Sequence, residues 1–260
     1  MRTVAFRVIV ALWLGACGTT GARADAPPST TSDTWTFSLT PYFWFAGLSG
    51  DVAVNPNLPV VNVDLDFDQI FDHIDWWPPP VMLAGEARYQ RFAVLADFLF
   101  LGLEAGAQTV RGPIAVAANL SVDTLITSLA GSYRVVEEGR ATLDLLAGGR
   151  LWNLDADGSF VGPLAVRERS GSKTWVDPII GAVAAYDLGG GFALKIEGDV
   201  GGFGVSADSD WQVVGTIQYA IGECTRLEVG YRHLAVDYSD GGFLFDVAMD
   251  GPIIAATFRF

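Results

Sequence analysis

The sequence predicts an all-β fold: an antiparallel up-and-down transmembrane β-barrel of ten strands. Eight or twelve strands stay open as alternatives, because Val52 to Phe67 reads either as wall or as loop. Three observations lead there. Apolar residues recur at every second position along most of the chain, the period of a strand with one apolar face. Half the residues are hydrophobic and mean hydropathy is +0.33, yet no segment after the amino-terminal region approaches the roughly 20 apolar residues that a spanning helix needs. Connections alternate between tight and wide, which suits a barrel with short turns at one end and long loops at the other.

Residues 1 to 24 read as a signal peptide. Arg2 and Arg7 precede an apolar run from Val8 to Ala16, and Ala22-Arg23-Ala24 has the small-x-small form of a cleavage site. Leu14-Gly15-Ala16-Cys17 offers a second reading, a lipoprotein box with Cys17 as a lipidated amino terminus. Residues 25 to 33 form a short linker, and 34 to 260 the barrel. Loss of Arg2, Arg7 and Arg23 with the leader moves the formal charge from −14 to −17. So acidic a chain excludes nucleic acid as a partner, since phosphate binding needs basic surface.

The first strand starts near Thr34, with Trp35, Phe37, Leu39, Pro41, Phe43 and Phe45 on one face and Thr36, Ser38, Thr40 and Tyr42 on the other. A long acidic segment, about 51 to 80, follows as an extracellular loop, punctuated by Asn55-Pro56-Asn57-Leu58-Pro59 and Pro78-Pro79-Pro80. Within it Val60 to Phe67 has strand character, and Gln69 to Ile74 suits one helical turn. Strands two and three, Val81 to Tyr89 and Phe92 to Leu103, flank the tight connection Gln90-Arg91, and residues 104 to 115 form a second wide loop. Strands four and five, Val116 to Arg134 and Thr142 to Asn153, meet through Glu137-Glu138-Gly139-Arg140, and a third wide loop covers Leu154 to Ser172. Strands six and seven, Lys173 to Asp187 and Phe192 to Gly204, join through Leu188-Gly189-Gly190-Gly191. Strand eight, Trp211 to Tyr219, turns at Ile221-Gly222-Glu223-Cys224-Thr225 into strand nine, Arg226 to Tyr238, and strand ten closes the chain.

Aromatics gather at both strand ends. Tyr89, Phe92, Tyr133, Tyr186, Phe192, Tyr219 and Phe260 lie at the tight-turn end, and Trp152, Trp175, Trp211 and Tyr238 near the wide loops, as two interfacial girdles would. A soluble sandwich or lipocalin-like barrel also alternates. Neither explains the few charges per strand or the asymmetry in turn length.

The closing strand sends Phe260, Phe258, Ala256, Ile254 and Pro252 to one face and Arg259, Thr257, Ala255 and Gly251 to the other. Ending on an aromatic residue in this way, it resembles the closing strand of bacterial outer-membrane barrels, where the terminal Phe is an assembly signature. With Gly230-Tyr231-Arg232 and Asp199-Val200-Gly201-Gly202-Phe203-Gly204, residues 34 to 260 resemble small Gram-negative outer-membrane β-barrel proteins of the OmpA-type and opacity-protein-like kind. The resemblance implies a location in the outer membrane, contact with its lipid and lipopolysaccharide, and recognition of Phe258 and Phe260 by the barrel assembly machinery.

With the apolar face in lipid, the other face lines the interior. It carries Glu86, Arg88, Asp97, Asp144, Arg150, Lys195, Glu197, Asp199, Glu228, Arg232 and Arg259. Mixed signs on facing strands predict ion pairs, because unpaired buried charge is costly. A ten-stranded lumen is only slightly wider than the eight-stranded one that side chains fill. The expected interior is therefore a mostly plugged polar core, with a narrow porin-like channel as the alternative and no enzymatic role.

Catalytic and metal-binding sites find little support. Asp64-Leu65-Asp66-Phe67-Asp68 with Asp72 and Asp75 suggests a calcium loop, but Gln69 stands where an EF-hand needs glycine. Gly230-Tyr231-Arg232-His233-Leu234-Ala235 is partly similar to the Arg-His-x-Ser segment of outer-membrane lipid A deacylases, with Ala235 in place of the serine. A structural or surface-interaction role is expected, with a lipid-modifying hydrolase as a disfavoured further alternative, and no catalytic residue, metal or cofactor is expected.

Overall fold

The computed structural model describes residues 34–53, 60–75, 77–111, 114–161 and 166–260. The leader, the linker, Cys17 and the turn around Pro56 lie outside them. In chain order the elements are β1 (Thr36–Trp44), β2 (Gly47–Ala53), β3 (Val61–Leu65), α1 (Phe67–Asp72), β4 (Val81–Tyr89), β5 (Phe92–Arg111) and β6 (Ile114–Glu138). Then come β7 (Ala141–Val161), β8 (Val166–Gly189), β9 (Phe192–Gly201), β10 (Ser209–Ile221), β11 (Thr225–Asp240) and β12 (Phe243–Arg259).

Ten strands close an antiparallel barrel in the order β1, β4 to β12, and back to β1. Closure runs from Ser38↔Arg259 to Trp44↔Ile253. Past Trp44 the chain breaks step and resumes as β2, which continues along β12 from Gly47↔Asp250 to Ala53↔Leu244. β3 pairs with β2 and, among the described residues, joins no other strand. The count matches the ten expected, with β2 and β3 as two additional strands outside the closed wall. The segment 51 to 80, expected as a loop, holds the end of β2, all of β3 and α1. Gln69, at the position where a calcium loop needs glycine, caps that helix by accepting the Asp66 amide at 3.0 Å.

The other two wide connections are not loops over the spans expected. β5 and β6 stay paired out to Arg111↔Ile114, and β7 and β8 to Val161↔Val166. β-Branched residues such as Thr109, Val110 and Ile114 favour continued pairing there, and long hairpins satisfy the backbone polar groups that irregular chain would leave open.

Strand lengths divide the outer half of the wall. β4 pairs with β5 only as far as Val81↔Phe100, and β9 ends at Gly201. Above those points β5 to β8 form one tall sheet, and β11, β12, β2 and β3 a second sheet opposite. The gap beside β5 is bridged by residues after α1, with the Asp75 amide on the Gly102 carbonyl at 2.9 Å and the Glu104 amide on the His73 carbonyl at 2.7 Å. The gap between β8 and β10 is covered by residues 202 to 208. Asp177 holds that connection by accepting the Ala207 amide at 2.8 Å.

Side-chain direction follows the period-two rule. Outward are Phe92, Leu129, Leu145, Ile180, Ile196, Ile217, Val229 and Ile254, all well exposed, as lipid-facing residues of a membrane barrel would be. Aromatic pairs ring the tight-turn end: Phe92 with Tyr133 and Phe192 with Tyr219, each at 4.8 Å between ring centroids, and Trp35 with Tyr89 at 5.4 Å. The second girdle is corrected by the structure. Trp152, Trp175 and Tyr238 are buried inside the barrel, and of the four expected there only Trp211 faces out. Parity is the reason: Trp152 follows Arg150 by two residues, and Trp175 precedes Asp177 by two, so each shares its neighbour's inward face.

Candidate functional site

The interior is built in three layers. Nearest the tight turns, Arg88 on β4 meets Asp144 on β7 and Glu86 two residues away on its own strand, the latter at 2.6 Å. Arg134 on β6 donates to the other Asp144 oxygen at 2.8 Å. Lys195 pairs with Glu197 on β9 at 3.3 Å. Glu228 accepts hydrogen bonds from Thr257 at 2.5 Å and Thr216 at 3.3 Å. These groups enclose a cavity of about 360 Å³ that reaches the tight-turn rim at Thr34, Gln90 and Glu137.

The second layer closes that cavity from above. Fully buried Arg150 donates through Nη2 to both oxygens of Asp199, at 2.8 and 2.9 Å, through Nη1 to Asp210, and through Nε to Ser128 at 3.0 Å. Gln212 joins Asp199 to a second buried arginine: its amide nitrogen donates to Asp199 at 2.6 Å and its oxygen accepts from Arg232 at 3.0 Å. Arg232 also donates to the Tyr42 hydroxyl at 3.0 Å, and Tyr42 donates to Asp97 at 3.1 Å. Residues from β1, β5, β6, β7, β9, β10 and β11 thus form one hydrogen-bonded sheet of charge across the lumen. Two arginines offset three carboxylates, and the fork geometry of guanidinium lets each serve several partners.

The third layer is apolar. Trp152, Trp175 and Tyr238 stack in series, at 5.6 and 4.0 Å between centroids, with Phe245 edge-on to both tryptophans. Leu99, Ile126, Leu154, Leu234, Val236 and Val247 complete the cluster. The indole nitrogens anchor it to polar groups: Trp152 donates to Asp210 and Trp175 to Asp177, both at 2.9 Å. β7 and β8 of one tall sheet meet β11 and β12 of the other here. Lys173 and Asp240 form an exposed pair beside the same contact at 2.6 Å.

All eleven charged residues named from the sequence lie on the inner face. Glu86, Arg88, Asp144, Lys195, Glu197, Glu228 and Arg259 line the cavity, Asp97, Asp199 and Arg232 roof it, and Arg150 sits above them. The sequence reading put Tyr42 on the polar face without naming it as an interior group, and it missed Arg134, Asp177 and Asp210, although parity within each strand, Asp177 with Trp175 or Asp210 with Gln212, was available as a signal. Phe258 and Phe260 face outward at the tight-turn rim. His233 also points out, its ring 4.6 Å from Trp211, while Tyr231 donates to Asp250 on the same outer face. Ala235, two residues from His233 on that face, supplies no nucleophile.

No family model and no curated protein matches the chain. Solved structures do, and they define the class: the fold is that of the outer-membrane β-barrels, loosely similar to small barrels. The outer membrane protease OmpT of Escherichia coli superposes with a TM-score of 0.51 at 10% identity, covering 92% of this chain and 100% of that one. The translocator domain of the autotransporter NalP from Neisseria meningitidis gives 0.44 at 9% identity, covering 87% and 88%. Such identities speak for the fold alone.

Proposed function

We propose that this protein is a non-enzymatic integral outer-membrane barrel with a structural or surface-interaction role and a closed lumen. One observation carries the reading: two successive layers, the Arg150–Asp199–Gln212–Arg232 network and the Trp152–Trp175–Tyr238 stack, fill the cross-section between the cavity and the wide end. A hydrated path would have to break buried ion pairs and an aromatic contact together, and each resists separation.

In this reading the tight turns face the periplasm after export on the amino-terminal leader. Outward Phe258 and Phe260 serve recognition by the assembly machinery, and lipid and lipopolysaccharide surround the apolar belt. The tall hairpins and the segment 51 to 80 present the contact surface outside the cell. The buried carboxylates among the described residues, Asp144, Asp177, Asp199 and Asp210, are held by arginine, indole or amide donors, a structural use that suits the non-enzymatic reading. The rival, a narrow channel, draws on the cavity that opens at the tight-turn rim.

Planar-bilayer recordings separate the two. The closed barrel gives no unitary current, and steady single-channel steps would defeat the reading. Heat-modifiable gel migration of protein from isolated outer membranes tests the location beforehand.

A further inference from the structure

We propose that the mouth of the interior cavity is a binding site for a small oxyanion, a carboxylate or phosphate solute entering from the tight-turn end, held between Arg226 and Arg259. The two arginines point inward from β11 and β12 and line the same cavity. Arg226 is registered opposite Thr257, so Arg259 is its diagonal neighbour on the adjacent strand. That places both heads on one patch of wall.

Their partners set them apart from the rest of the interior. Arg88, Arg134, Arg150, Lys195 and Arg232 each contact a carboxylate within 4 Å. Arg226 and Arg259 make no ion pair or side-chain hydrogen bond among the described residues; they lie near enough to repel one another, and Glu86, which attracts Arg259 from further off, is already paired with Arg88. Two half-buried like charges held side by side destabilise the empty site, and an anion between them removes that repulsion while satisfying both forks. Ser38 is registered directly opposite Arg259 and also lines the cavity, adding a hydroxyl on the far side of the guanidinium.

The alternative role for arginine at a barrel rim is contact with lipid phosphates. Here the strand face decides against it. Phe258 and Phe260, flanking Arg259, take the outward positions, and Leu227, beside Arg226, is exposed on the lipid side. The arginines therefore address a solute in the lumen. The carboxylates deeper in the cavity, Glu86, Glu197 and Glu228, already have partners and repel a large polyanion, which restricts the ligand to a small one. About 360 Å³ is at the lower end of small-molecule pockets.

The test is isothermal titration calorimetry on the full barrel refolded in detergent, so that no step depends on assembly in the cell. Sodium phosphate and sodium succinate are the probes, against sodium chloride at matched ionic strength. Saturable binding of at least one probe is expected, weakened tenfold or more in both R226Q and R259Q. Phosphate alone or succinate alone would each assign the head group. Heats no larger than those of chloride, or unchanged affinity in both variants, would overturn the site. Should a glutamine variant fail to fold by heat-modifiable migration, R226K and R259K replace it. These keep the charge and lose the fork, and a several-fold weakening is expected, with unchanged binding again counting against the site. The outcome is independent of conductance, since a silent barrel and a conducting one both keep this mouth.

Discussion

Replacing Arg150 by methionine probes the layer that closes the lumen. The side chain is fully buried and satisfies two aspartates and a serine. Methionine fills similar space and removes the charge. Asp199 keeps Gln212 and Asp210 keeps Trp152 as hydrogen-bond donors, but both are buried and lose their counter-ion. Removing one partner of a buried pair costs about 3–5 kcal/mol, mostly from the stranded opposite charge. R150M is therefore expected to lose that much in urea unfolding of the barrel in lipid vesicles, followed by tryptophan fluorescence and extrapolated linearly. R150M/D199N/D210N removes all three charges, keeps an acceptor for the indole and the glutamine amide, and recovers most of the loss. A single-variant cost below about 1 kcal/mol, or a triple variant no better than R150M, would refute the claim that Arg150 is the counter-ion of this layer.

W175A deletes the ring between Trp152 and Tyr238 and should destabilise by about 3–5 kcal/mol in the same titration; planar bilayers should stay silent with it, and conduct only when the truncation R150A is added, because each layer closes the lumen by itself. Replacement of Gly230 by alanine drives a Cβ into the Gly215 carbonyl of β10, so G230A is expected to yield little heat-modifiable protein. K173A removes a surface pair whose aspartate is well exposed, and no measurable change in unfolding midpoint is expected. On the tall hairpins outside the lipid belt, the Asp123 carboxyl is pushed up by burial first and then by Asp155, Asp75 and Asp157. Its folded pKa then exceeds the unfolded value, so the ionised group costs stability at neutral pH and the cost disappears as pH falls below about 3.9. D123N should raise the unfolding midpoint at pH 7 and leave it unchanged at pH 3.

The barrel was legible because alternation, turn lengths and an even strand count all derive from one local rule, the period of two. That rule also fixed which residues face inward, down to the eleven charges. Where proximity to loops was weighed above parity, the reading failed: Trp152, Trp175 and Tyr238 belong to the interior that their own strands assign them. The hairpin extensions were hidden for another reason. Glycine- and proline-bearing stretches such as 104 to 115 read as loops locally, and only a paired neighbour of matching length shows that they continue as strands.

By itself the sequence determined the fold class, the inward direction of the eleven charged side chains, and a strand count that left one ambiguous segment open. Tertiary structure decided which charges meet. Arg150 reaches Asp199 and Asp210, 49 and 60 residues away in sequence, because strand tilt and register bring β7, β9 and β10 to one level across the lumen. No local pattern encodes shear, and so the same local pattern leaves open a hydrated pore, a pair of closing layers, or a mouth with two unpaired arginines.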